Sequence, residues 1–97
     1  MLHLINKSPF NSTALDSCAK YAGKGSPILL FEDGVYGAMA GTSLEEKIAG
    51  LAKEYELYVL KEDLQMRGID KVIDGIKEVD YPGFVDLVEQ NKTASWS

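Results

Sequence analysis

The chain has 97 residues, 45% of them hydrophobic and 26% charged, which fits a globular protein of one domain with its own core. Its net charge of -5 argues against direct binding to nucleic acid, because phosphate groups are held by clustered Lys and Arg. No apolar run reaches about 18 residues, so we expect no membrane-spanning segment. The first residues lack the basic segment of a signal peptide, and Cys18, the single cysteine, fits the reducing cytoplasm.

The first half of the chain predicts two strands separated by a helix. The short apolar run 2–6 predicts the first strand, and apolar residues at helical spacing predict a helix over about 13–21. A turn at 23–27 leads into the stretch 28–34, Ile-Leu-Leu-Phe-Glu-Asp-Gly. Its unbroken apolar run is typical of a strand buried on both faces, and its last three residues predict a turn at the carboxyl end of that strand.

The second half continues the alternation of helices and strands. Thr42 and Ser43 each precede a glutamate by three residues, a capping-box spacing that predicts the start of a helix. The other expected elements are, in chain order, a helical turn over 35–40, a strand over 57–60, a short helix over 62–68, a weaker strand over 76–79, a break at Pro82-Gly83, a last helix and a polar tail over 91–97.

This alternation predicts an α/β protein. The expected architecture is a small three-layer α/β/α sandwich of the flavodoxin-like type, with a parallel four-stranded sheet and right-handed crossovers. We expect a single domain over 1–97, with 91–97 as its tail. In such a sheet, binding and catalytic sites form at the carboxyl ends of the strands.

Acidic residues follow several of the predicted strands, and they allow two interpretations. Asp33, Asp63 and Asp80 offer the oxygen ligands that divalent metals prefer, which would make the chain a small metal-binding switch. The favoured alternative is that these carboxylates cap helices and solvate turns, because the helix dipole attracts acids to helix starts; accordingly, no metal or other cofactor is predicted. At the turn, we expect Gly34 to adopt a conformation closed to residues with a Cβ atom, and Asp33 to accept hydrogen bonds from nearby backbone amides.

Cys18 is the one strong nucleophile in the chain. It is either a sulfur acceptor or redox thiol, or a small apolar residue on the inner face of the first helix. It lies past the first helical turn, and no basic residue stands three or four positions away, so nothing nearby in the sequence activates it. The residues alone therefore favour the packing role and predict a thiol with an ordinary or raised pKa.

Three other features carry weaker functional hypotheses. The segment 23–26, Gly-Lys-Gly-Ser, is reminiscent of a phosphate-binding loop, but it precedes its strand and lacks the required glycine spacing. His3 stands alone in the first strand, so we expect a structural histidine. Trp96 either anchors a partner protein or folds back onto its own domain, since aromatic side chains concentrate binding energy at interfaces.

Several stretches, taken in their order and spacing, resemble one protein family over nearly the whole chain. They are Leu2-His3, Asn6-Lys7-Ser8-Pro9-Phe10, Leu29-Leu30-Phe31-Glu32-Asp33-Gly34-Val35-Tyr36, Ala40-Gly41-Thr42, Tyr58-Val59-Leu60, Asp63-Leu64, Arg67-Gly68, Val79-Asp80-Tyr81 and Phe84-Val85. Each stretch alone is unspecific. Together they are similar to the DsrH/TusB family, and the near-terminal Trp96 fits it as well.

The resemblance implies a DsrE-like α/β fold and a place as the smallest subunit of a cytoplasmic heterohexamer, with two copies each of three related chains. Its partners would be a DsrE- or TusD-like subunit, which carries the principal sulfur-accepting cysteine, and a DsrF- or TusC-like subunit, together with other sulfur-carrier proteins. In the TusB branch the complex relays persulfide sulfur toward 2-thiouridine in tRNA. In the DsrH branch it serves sulfur oxidation.

The position of Cys18 bears on the choice between the two branches. DsrH chains carry a cysteine in the first helix, where Cys18 stands, whereas TusB chains commonly lack it. We therefore expect a DsrEFH-type subunit of intracellular sulfur oxidation that assembles with and shapes a partner's site, and whose own enzymatic activity is weak or absent. The role of Cys18 is then either that of an accessory sulfur acceptor or that of a core residue. The alternatives are a TusB-type subunit of the TusBCD relay for tRNA, and an independent persulfide carrier that uses Cys18.

Assembly with partner chains requires an interface on the surface of this subunit. The expected interface anchors are surface aromatics such as Tyr36, Tyr81 and Trp96.

Overall fold

The computed structural model describes residues 1–97 and centres on a parallel sheet of five strands. These are β1 (Leu2–Ile5), β2 (Pro27–Leu30), β3 (Glu56–Leu60), β4 (Lys77–Val79) and β5 (Thr93–Trp96). The strand order is β4-β3-β2-β1-β5, and each neighbouring pair is parallel. The predicted α/β class and parallel sheet are confirmed, with one strand more than the sequence indicated.

Helices fill the connections between consecutive strands. They are α1 (Ala14–Tyr21), a 3-10 helix (Glu32–Ala38), α2 (Glu45–Glu54), α3 (Lys61–Met66) and α4 (Tyr81–Gln90). Gly68, with a φ of 67°, follows α3, which agrees with the predicted glycine end of that helix. None of the helices is long and apolar enough to cross a membrane.

One face of the sheet carries the main core. Ile5, Leu30 and Val59 lie side by side on adjacent strands and are completely buried. The helices that follow the first three strands cover this face, because each contributes at least one buried residue to the same cluster: Leu15 and Cys18 from α1, Ile48 from α2 and Leu64 from α3.

The opposite face is covered by α4 alone. Leu2 and Leu29 are completely buried but lie outside the main cluster, as expected for strand residues that alternate between faces. Phe31 continues this alternation, and its ring stacks on Phe84 of α4 with 6.0 Å between centroids. The asymmetry follows from right-handed crossovers, since only the connection from β4 to β5 runs back across the sheet. No residue of α4 is fully buried, so this helix keeps a large exposed surface.

The segment 91–97, predicted as a tail, instead supplies the fifth strand. Thr93–Trp96 pairs with β1 so that Trp96 lies beside Ile5. The strand is short and lies at the sheet edge, and the alternation places only Ala94 and Trp96 on the core side. A half-buried edge strand needs no more apolar residues than these two, which is why its composition resembled that of a tail.

The predicted break at Pro82-Gly83 lies inside the first turn of α4. Proline is tolerated there because the first N–H groups of a helix have no acceptor within the helix. Asp80 caps this helix, as its Oδ1 accepts the N–H of Gly83 at 2.9 Å. The residues that were expected to interrupt the chain therefore begin the helix.

The start of α2 also differs from the predicted capping boxes. Thr42 Oγ1 accepts the N–H of Leu44 at 3.2 Å, and Glu45 Oε1 accepts the N–H of Gly41 at 2.7 Å. Both side chains therefore stabilise the turn that precedes the helix. As a consequence α2 begins at Glu45, later than the boxes indicated.

Candidate functional site at the carboxyl edge of the sheet

The turn after β2 brings predicted site residues together at the carboxyl edge of the sheet. Glu32 is the one residue other than glycine with a positive φ, 48°, a conformation that L-amino acids rarely adopt. Its backbone N–H donates to Asp63 Oδ2 at 2.6 Å. A side chain from α3 therefore holds the strained residue that follows β2.

Gly34 is required for a reason that differs from the predicted one. Its φ is not positive. Instead, a Cβ atom added to Gly34 would overlap the carbonyl oxygen of Ile5. The 3-10 helix thus approaches the end of β1 at a distance that only glycine permits, and the unusual backbone conformation belongs to Glu32, two residues earlier.

Arg67 connects this turn to α3. Its Nε and Nη2 both donate to Asp33 Oδ1, at 3.2 and 3.0 Å, and its Nη1 donates to the backbone oxygen of Asp63 at 3.3 Å. The same Nη1 lies 3.6 Å from Asp63 Oδ1, and the guanidinium carbon lies 5.9 Å from the centroid of the Tyr36 ring. Asp33 was predicted to accept backbone amides. It pairs with Arg67 instead, because the Arg67 side chain is only 18% exposed and its guanidinium needs anionic partners.

The three carboxylates of the metal-switch hypothesis each have a partner within the protein. Asp33 and Asp63 both contact Arg67, whereas Asp80 caps α4. No group of three or more His, Cys, Asp or Glu side chains in the chain is arranged to hold a metal ion. The interpretation that these acids stabilise turns and helix starts accounts for all three.

A group of aromatic and apolar side chains adjoins this edge on the α4 face of the sheet. We name Phe31, Tyr81, Phe84 and Val85 the α4 patch. The ring of Phe84 lies 6.0 Å from Phe31 and 5.8 Å from Tyr81, centroid to centroid. Tyr81 is 58% exposed and Val85 is 36% exposed. Exposed aromatic residues around a packed centre are typical of protein–protein interfaces.

Only one of the three predicted interface anchors belongs to the α4 patch, namely Tyr81. Tyr36 lies beneath Arg67, and Trp96 packs against the core. Phe84 was not predicted as part of a surface, although its spacing of three residues from Tyr81 places both on one side of a helix.

The structure places Cys18 in the interior of the protein. Its side chain has 0% exposure and belongs to the main core cluster. Burial raises the pKa of the Cys18 thiol to about 11, because apolar surroundings disfavour the thiolate. An ordinary or raised pKa was predicted from the sequence, and the raised pKa agrees with it. A role for Cys18 as an accessory sulfur acceptor stays a prediction.

His3 and Trp96 meet at the edge of the sheet that β5 forms. His3 Nδ1 accepts the N–H of Trp96 Nε1 at 3.1 Å, and His3 is 3% exposed. The contact agrees with the expectation of a structural histidine. It also shows that Trp96 folds back onto its own domain, which was one of its two predicted roles.

The parallel sheet with helices on both faces defines a small three-layer α/β protein. It is similar to the solved structure of a protein of unknown function from Methanobacterium thermoautotrophicum, with a TM-score of 0.71 over 97% of this chain and 95% of that one. The two sequences are 13% identical, so this similarity establishes the fold alone.

The sequence comparisons identify the family. The model of a family described as DsrH like protein matches residues 7–94, and the chain belongs to this family. Its relatives include Protein TusB of Pectobacterium parmentieri, 33% identical over 99% of this chain and 100% of that protein. Protein TusB of Erwinia tasmaniensis is 35% identical over 94% of each chain, and Protein TusB of Buchnera aphidicola is 36% identical over 95% of each.

The resemblance to the DsrH/TusB family is therefore confirmed, and it supports a sulfur-relay subunit. The name shared by these relatives favours the TusB-type alternative over the DsrH-type subunit that we expected. That expectation gave weight to a single position, Cys18. The similarity to proteins named TusB extends over nearly the whole chain and carries more information than one residue.

Proposed function

We propose that the chain is a TusB-type subunit of a sulfur-relay complex that passes persulfide sulfur toward 2-thiouridine in tRNA. The observation that carries this proposal is the match along nearly the full length of both chains to proteins named TusB. A subunit of a DsrEFH-type complex for sulfur oxidation is the second candidate, and the cysteine in the first helix favours it.

The work of this subunit is to assemble with its partners and to shape the site that carries the chemistry. Cys18 is completely buried and its thiol is held in the protonated form, whereas sulfur transfer requires an accessible thiolate. The principal acceptor cysteine then belongs to a TusD-like partner, with a TusC-like chain as the third component. These properties disfavour an independent persulfide carrier that uses Cys18.

The α4 patch is the surface that we assign to partner binding. It combines the exposed ring of Tyr81 with the supporting ring of Phe84, and it lies beside the turn that Arg67 and Asp63 hold in place. A rigid support keeps the exposed aromatic ring in one position, which lowers the entropy lost on binding. The net charge of -5 indicates that the tRNA contacts other subunits.

Co-expression with the TusC- and TusD-like chains of the same genome tests assembly. The expected product is one complex on size-exclusion chromatography, and light scattering should give the mass of two copies of each chain. The control is this chain purified alone, which should elute later. Its elution as a separate species beside a complex of the other two chains would contradict the proposal.

Nucleoside analysis tests the pathway. In a bacterium that lacks its own TusB, TusC and TusD, the three chains together should restore 2-thiouridine in hydrolysed tRNA, as measured by liquid chromatography and mass spectrometry. Omission of this chain should remove the rescue. A complex that assembles without restoring 2-thiouridine would instead favour the sulfur-oxidation candidate.

A further inference from the structure

The hydrogen bond between His3 and Trp96 fixes the protonation state of the histidine. An indole N–H can donate a hydrogen bond but cannot accept one, so Nδ1 of His3, at 3.1 Å, must be unprotonated. Protonation of this nitrogen would place two N–H groups against each other. The contact therefore exists only with a neutral His3.

The surroundings of His3 offer no compensation for a positive charge. The neighbouring strand positions are Ile28 on β2 and Ala94 on β5, which are both uncharged. From α1, the ring of Tyr21 lies 6.3 Å away in an edge-on orientation. The Met1 ammonium lies close enough to lower the pKa of His3, and none of the ion pairs in the protein includes this histidine.

The strand that Trp96 belongs to has few other attachments. β5 is four residues long and pairs with β1 alone, and its remaining edge has no neighbour. Trp96 is its one large apolar side chain, and its ring contacts both Tyr21, at 5.7 Å, and His3, at 6.1 Å. Outside its backbone pairing with all four residues of β1, attachment of the strand therefore relies on the packing of this indole.

We propose that His3 and Trp96 form a pH switch that fastens β5 to the sheet: neutral His3 accepts the indole N–H and holds the strand, whereas protonation at Nδ1 releases the indole and loosens β5. The proton comes from solvent and no other bond is made or broken. This proposal is independent of the sulfur-relay function, because it concerns the attachment of one strand in the isolated chain.

Burial, followed by the Met1 ammonium, lowers the pKa of His3 below its ordinary value of 6.5. The folded form with β5 attached therefore binds fewer protons than the form with β5 released. Attachment of β5 is fully stabilised above 6.5 and is lost as the pH falls toward the lowered pKa. The protection factors of the β5 backbone amides, which correct for the intrinsic pH dependence of exchange, should then fall by about tenfold for each unit that separates the two pKa values.

Tryptophan fluorescence provides the first test, because the chain has one tryptophan and one histidine. Between about pH 7 and pH 5, Trp96 emission should shift to longer wavelength while far-UV circular dichroism changes little. His3→Asn keeps an acceptor near the position of Nδ1 but does not titrate in this range, so its emission should not change with pH. An emission that is constant in the unmodified chain, or that shifts equally in His3→Asn, would overturn the proposal.

Titration of the single His3 ring by proton NMR provides a second test that does not depend on the first variant. Trp96→Phe retains an aromatic ring but removes the N–H donor that favours neutral His3, so the pKa of His3 should rise toward 6.5. Tyr21→Phe is the matched control, since it retains the ring that packs against His3, and it should leave the titration unchanged. An unchanged His3 titration in Trp96→Phe would also overturn the proposal.

Discussion

Gly34 lies so close to the backbone carbonyl of Ile5 that a single added methyl group would overlap the oxygen. Because that oxygen is part of β1 and cannot rotate away, the backbone itself must move to admit a side chain. Gly34→Ala should therefore lower the free energy of unfolding by about 1–3 kcal/mol, the usual effect of overpacking a rigid site. Urea denaturation of the purified chain measures this change.

The matched control is Gly50→Ala. Gly50 lies within α2, and nothing is within 4 Å of the position of its added Cβ atom. Alanine is favoured over glycine in a helix, so this variant should gain about 0.5–1 kcal/mol. Equal effects of the two substitutions on the free energy of unfolding, in sign and size, would show that the close approach of Gly34 to β1 does not exclude a side chain at this position.

The turn at Gly34 shows where sequence analysis succeeds and where it stops. The apolar run before it predicted β2 correctly, because burial on both faces is a property of the run itself. The need for glycine was also predicted, but its cause is contact with Ile5, a residue nearly thirty positions away. Local residues cannot indicate such a contact, and they cannot indicate that Glu32 adopts the positive φ.

Asp63 should contribute more to stability than Asp33, although both contact Arg67. The Asp63 side chain is 17% exposed and also accepts the N–H of Glu32, whereas the Asp33 side chain is 62% exposed. Asp63→Ala should cost about 1–3 kcal/mol, because it leaves a largely covered guanidinium with one carboxylate and the Glu32 N–H without its acceptor. Asp33→Ala should cost less than about 1 kcal/mol, as expected for an exposed pair. Denaturation of both variants checks the ranking, and a larger loss for Asp33→Ala would contradict it.

β5 and the Arg67 contacts were also not predicted, because both depend on residues that are far apart in the sequence. β5 has only two residues facing the core, so its composition alone resembles a solvated tail. Its pairing with β1 joins the two ends of the chain, which hydrophobic periodicity within either segment does not reveal. Similarly, Asp33 and Arg67 are 34 positions apart, and the choice between a backbone partner and an arginine partner depends on the packing of α3.

Tyr81→Ala should weaken assembly with the partner chains by about tenfold or more, since a few aromatic residues supply most of the energy of typical interfaces. Its effect on the fold should be small, because the Tyr81 side chain is 58% exposed. Tyr21→Ala is the matched control: Tyr21 is 71% exposed but lies in α1, which covers the other face of the sheet. Titration of the partner complex with each variant compares the affinities. Because the Tyr21 ring also contacts Trp96, the emission of Trp96 is compared in this variant. Weaker assembly for Tyr21→Ala alone, with unchanged Trp96 emission, would place the interface on the α1 side.

Cys18 should react slowly in the isolated chain. Its pKa is raised from 9.0 to about 11, which reduces the thiolate fraction at neutral pH by about a hundredfold, and burial lowers access further. Alkylation with iodoacetamide, followed by mass spectrometry, should therefore be at least about a hundredfold slower than for a free thiol. If Cys18 is an accessory acceptor, assembly must expose it, and the rate should rise in the complex. A fast reaction in the isolated chain would favour the independent persulfide carrier.

Substitution of Cys18 separates the core role from the accessory role. Because the folded pKa lies above the ordinary value, the unmodified chain should lose stability as the pH rises from 9.0 toward about 11, where the unfolded thiol ionises and the folded one does not. Cys18→Ala removes the titrating group, so its melting temperature should fall less over the same range. In the assembled complex, Cys18→Ala should leave both assembly and persulfide loading unchanged if the residue serves only the core. Reduced loading in a complex that assembles normally would establish the accessory acceptor, because the fold and the partner's cysteine are retained in that variant.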